Sequence, residues 1–102
     1  MGSRKIFKNN ILEVLEMLYP YAEFPGTLIV THSQEMEDGT ILVHFEQPCD
    51  WGFKEARYVL PSKNNLYSEG FTETEKKNNE RILNNNANLI TKYAKIGGVP
   101  LA

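Results

Sequence analysis

One cysteine, one tryptophan and two histidines among 102 residues leave little room for several kinds of chemistry. A lone Cys49 excludes an intrachain disulfide and any zinc site built on several thiolates, and it fits a reducing compartment. No histidine lies near it in sequence and its neighbour Asp50 is acidic, so a nucleophilic role is not expected. No apolar run approaches the ~18 residues of a membrane span. The start Met1-Gly2-Ser3-Arg4-Lys5 leads into alternating polar and apolar residues instead of a secretory core, so the expected location is cytoplasmic, off the membrane. Charge of one sign is equally scarce: 11 Lys and Arg stand against 13 Asp and Glu, a net −2. Without clustered cations, nucleic acid is not an expected partner. Phosphate loop, dinucleotide glycine fingerprint, nucleophile elbow and zinc-ligand spacing are all missing, so no cofactor and no metal are expected.

What remains is an ordinary globular composition, 41% hydrophobic and 24% charged, of a length that builds one core. Residues 1–102 therefore read as a single domain. From a possible N-cap at Ser3, Phe7, Ile11, Val14, Leu15 and Leu18 recur at helical spacing until Pro20 ends the run. Tyr21 to Gly26 reads as a connector. Leu28 to His32 and Ile41 to Phe45 are β-branched runs flanking Asp38-Gly39, a hairpin signal. A two-residue loop there pairs Met36 with Ile41 and His32 with Phe45, and calls for positive φ at both loop residues. It also sends His32 and His44 to opposite faces, where they cannot share a metal ion. Gln47 to Gly52 is a second connector, Phe53 to Leu60 a third strand stopped by Pro61, and Ser62 to Gly70 a polar loop. Thr72-Glu73-Thr74-Glu75 is a capping box opening a last helix, with Leu83, Ala87, Ile90 and Ala94 as its buried stripe and Gly97-Gly98 as its C-cap. The expected fold is α+β in the order α-β-β-β-α, a three-stranded antiparallel sheet with two helices packed on one face.

That order matches the topology of the double-stranded-RNA-binding module. However, the glutamates interleaved with Lys76, Lys77 and Arg81, and the acidic hairpin turn, do not suit a phosphate backbone. His44, Glu46 and Arg57 fall on one outer face if the second and third strands pair. They are the candidate set for an enzyme or small-ligand site, with a solvated face of ordinary ion pairs as the plainer reading. The aromatics are the better signal. Tyr21, Phe24 and Trp51, with Asp50 at the rim, lie in the two connectors at one end of the hairpin, either as a binding pole or as a plug for the core. The reading that follows is a non-enzymatic binding or regulatory module. It acts through a protein partner or by self-association, with a homodimer through the sheet edges Leu28–Ser33 and Phe53–Leu60 as one form.

Overall fold

The computed structural model describes residues 18–98. Most of the helix expected from Ser3 up to Pro20 lies outside them; at its described end Leu18 is not helical and Tyr19 already belongs to a strand. Strands β1 (Tyr19–Phe24), β2 (Leu28–His32), β3 (Ile41–Cys49), β4 (Gly52–Leu60) and β5 (Asn64–Glu69) precede one long helix, α1 (Glu73–Ile96). The strands form an antiparallel meander in the spatial order β1-β2-β3-β4-β5. The expected three-stranded sheet with two helices is thereby overturned: the sheet has five strands, and one helix is present among the described residues. The α-β-β-β-α match to the RNA-binding module goes with it.

Both unforeseen strands are the outer ones, and both are irregular. In β1 the register slips between Pro20 and Ala22, and in β5 it slips where Arg57 and Tyr58 of β4 face Tyr67 and Asn65. An extra residue destroys the period of two by which a strand is recognised. Pro20 is tolerated because an edge strand has one side without ladder partners. Pro48 is tolerated inside β3 because the pairing with β2 stops at Glu46, leaving Pro48 opposite Phe53 of β4 alone. Strands β2 and β4, expected as free edges for a homodimer, are both interior. The true edges carry the two irregularities, which twist a strand away from edge-to-edge pairing.

The β2–β3 hairpin keeps its faces but not its expected register. Its pairs are Val30 with Phe45, Thr31 with His44 and His32 with Val43, two residues out of step with a loop of Asp38-Gly39 alone. The Met36 amide donates to the Thr40 carbonyl at 2.8 Å and the Gly39 amide to the Met36 carbonyl at 2.9 Å, so the loop holds three residues. Only Gly39 has positive φ, at 86°. This is a turn closed by a glycine bulge, not the expected two-residue form. A second irregularity restores the parity: Ser33 bonds Leu42 through its amide at 2.9 Å, and its hydroxyl accepts from the Leu42 amide at 2.9 Å. The extra residue is absorbed between Ser33 and Met36, where the Glu35 amide turns to the Ala94 carbonyl of α1 at 3.3 Å. His32 and His44 accordingly stay on opposite faces.

The core lies between the sheet and α1. Val30, Val43, Phe45, Ala56, Tyr58 and Leu60 meet Ile82, Leu83, Ile90 and Ala94, all buried, and the Phe45 and Tyr58 rings stand edge to face at 5.4 Å. The helix begins where the capping box predicts. Thr72 Oγ1 accepts from the Glu75 amide at 3.1 Å, and the Glu75 carboxylate accepts from the Thr72 amide at 2.9 Å. Thr72→Ala is expected to lower stability by ~1 kcal/mol, measured as a shift in urea midpoint, with Thr74→Ala as the unaffected control.

Candidate functional site

Two turns, the end of β5 and the start of α1 meet at one end of the sheet. Gln47 Nε2 of β3 donates to the Gly26 carbonyl in the β1–β2 turn at 2.7 Å. In that turn Thr27, a β-branched residue, is held at φ 63°. Lys54 of β4 pairs with Glu75 in the first turn of α1 at 2.9 Å. The β3–β4 turn, Asp50-Trp51, projects from this end, and Trp51 is 66% exposed. Its ring edge lies over Gly70, where a Cβ would stand 2.6 Å from Cη2 and 2.9 Å from Cζ2. Gly70 also has φ +88°, so both the ring and the backbone require glycine there. Gly70→Ala is expected to destabilise by more than ~1 kcal/mol and to shift the fluorescence of Trp51, the sole tryptophan.

The four residues of the expected aromatic pole do not form one cluster. Asp50 is exposed at the tip with Trp51. Tyr21 and Phe24 belong to β1, not to a connector, and are packed against the core. The Tyr21 hydroxyl donates to Asn86 Oδ1 at 2.7 Å, and its ring lies 6.4 Å from both His32 and Tyr93. Among the described residues no ring pair joins either to Trp51. Trp51 therefore does not plug the core, while Tyr21 and Phe24 help to close it.

The face of the sheet turned away from α1 does gather His44, Glu46 and Arg57, and adds residues the sequence reading missed. Arg57 Nη2 lies 3.0 Å from His44 Nδ1, and the guanidinium stands over the Tyr67 ring at 5.6 Å. Arginine can only donate, so Nδ1 is the acceptor and the proton of neutral His44 sits on Nε2. Nε2 is 3.7 Å from Glu46 and 3.6 Å from Glu55. Burial first, and the Arg57 charge second, lower the His44 pKa to about 4. The Nδ1 lone pair is thus engaged by Arg57, while both carboxylates stand beyond hydrogen-bond distance of Nε2. Glu55 could have been found from the alternation of Phe53, Glu55, Arg57 and Val59 along β4. Tyr67 could not, because β5 was not legible.

A shallow groove of about 490 Å³ lies beneath the hairpin turn, lined by Gln34, Glu35, Met36, Glu37, Asp38 and Thr40. Two of its polar groups are already engaged: Asp38 accepts from the Thr40 amide and hydroxyl at 3.0 and 2.6 Å, and Glu35 pairs with Lys95 at 2.9 Å. Among the described residues no group of three or more His, Cys, Asp or Glu is placed to hold a metal ion, and no helix is long and apolar enough to cross a membrane. No protein-family model, curated protein or solved structure matches the chain.

Proposed function

We propose that this protein is a non-enzymatic binding module that engages a protein partner through the β3–β4 tip, with Trp51 as the anchor. One observation carries the reading. The largest apolar side chain in the sequence stands 66% exposed on a tight turn, at an end where neighbouring elements fix its seat over Gly70. Tryptophan supplies large contact area at low entropic cost, and a turn braced on both sides loses little freedom on binding. The outer-face histidine supports this by contrast, since its Nδ1 lone pair is taken by Arg57. Capture from a lysate of the source cell on immobilised protein, read by mass spectrometry, tests the proposal. A partner retained by the parent and lost by Trp51→Ala is the expected result. A partner retained equally by both would place the contact elsewhere.

A further inference from the structure

Beside Trp51 the outer face of the sheet has an apolar step followed by a row of acids. Phe53 is 49% exposed and pairs across the strands with exposed Pro48. One step along, Glu46, Glu55 and Glu69 are direct cross-strand neighbours on β3, β4 and β5, and Glu23 of β1 continues the row beyond Ile29. Like charges directly opposite each other destabilise a sheet, so the fold gains nothing from this row. Nor is it neutralised from within. Among the described residues, Glu23 and Glu69 form no ion pair, while Glu46 and Glu55 approach only His44. Arg57, the one cation on the face among the described residues, is committed to His44 and Tyr67. Lys54 points to the helix side and pairs with Glu75.

We propose that this face docks a basic segment of the partner protein, its Lys or Arg side chains on Glu46, Glu55 and Glu69 and an apolar side chain on Phe53 and Pro48. The proposal rests on the Trp51 reading and names the chemistry of the partner at that site. Exposed Phe53 and Pro48 supply the apolar anchor, and the carboxylates beside them, with no cation paired to them among the described residues, select positive charge and reject negative. A cation on the row is attracted by adjacent carboxylates at once, which offsets the repulsion between them.

The test is calorimetric titration of the full chain with two synthetic peptides. In the first, lysines alternate with serines around a central phenylalanine. In the second, glutamates replace the lysines. The lysine peptide is expected to bind, to weaken as salt is raised, and to bind ~10-fold more weakly to Glu46→Gln/Glu55→Gln/Glu69→Gln. Glu73→Gln/Glu80→Gln on the helix is the control and should bind as the parent does. The triple variant should be at least as stable as the parent, because it removes repulsion. Equal binding of the two peptides, absence of binding by either, or a triple variant that binds like the parent would overturn the proposal. A captured partner that depends on Trp51 but is indifferent to the triple substitution would end the charge selection while leaving the Trp51 site standing. Loss of Trp51 dependence would instead end the site itself.

Discussion

Lowering the pH from 6.5 to 4.5 is expected to remove ~2 kcal/mol of folding stability through His44. In the folded chain burial and Arg57 hold this imidazole neutral down to about pH 4, whereas an unfolded chain takes up the proton near 6.5. Within that window the unfolded state binds more protons, so stability rises with pH and is fully present above 6.5. The carboxyl of Glu75, lowered by its bond from Lys54 and by the Thr72 amide, adds its own acid loss below its ordinary value of 4.5. Urea midpoints across the window give the slope, and His44→Gln should flatten it. A parent protein equally stable at both ends would show that the imidazole is solvated and free of Arg57.

A matched pair of aromatic truncations should give opposite results. Phe45→Ala is expected to cost ~3–5 kcal/mol, a large part of a small domain's stability. The ring is 0% exposed on the central strand and meets Tyr58 edge to face. Trp51→Ala removes a larger ring that is 66% exposed, and the melting temperature should stay within a few degrees. Thermal denaturation of both variants decides the matter. A Trp51→Ala protein that melts as low as Phe45→Ala would return Trp51 to a structural role.

The legible parts of the fold were those where one local signal was sufficient. The capping box at Thr72 and Glu75, the glycine C-cap at Gly97, and the alternation of β2, β3 and β4 all reappear, although β3 runs on through Gln47–Cys49 and β4 opens at Gly52, which shortens the expected connector to Asp50-Trp51. Parity survived in the β2–β3 hairpin even though its loop is longer than Asp-Gly implies, because the bulge near Ser33 cancels the extra residue. The edges were not legible. Tyr19–Phe24 contains Pro20 and a slip at Tyr21, while Asn64–Glu69 opens with two asparagines, poor strand formers, and slips at Leu66. An edge strand packs against one neighbour only, so tertiary pairing decides it and local pattern does not. The same blind spot shaped the site. Trp51 and Asp50 could be placed on a turn from sequence, but Tyr21 and Phe24 were misread as loop residues. Glu69, the β5 member of the acidic row, and Tyr67, the ring beneath Arg57, lie in the segment that reads as a polar loop.

The most direct measurement of the central claim is an amide chemical-shift map of the isotope-labelled full chain with its captured partner added. If the β3–β4 tip is the contact site, the largest perturbations fall on the Trp51 indole and the amides of Asp50, Gly52, Phe53 and Gly70, with Glu55 and Glu69 next. Perturbations concentrated instead on the hairpin groove from Gln34 to Thr40, or on the exposed side of α1 around Leu89 and Ile96, with the Trp51 indole unmoved, would contradict it.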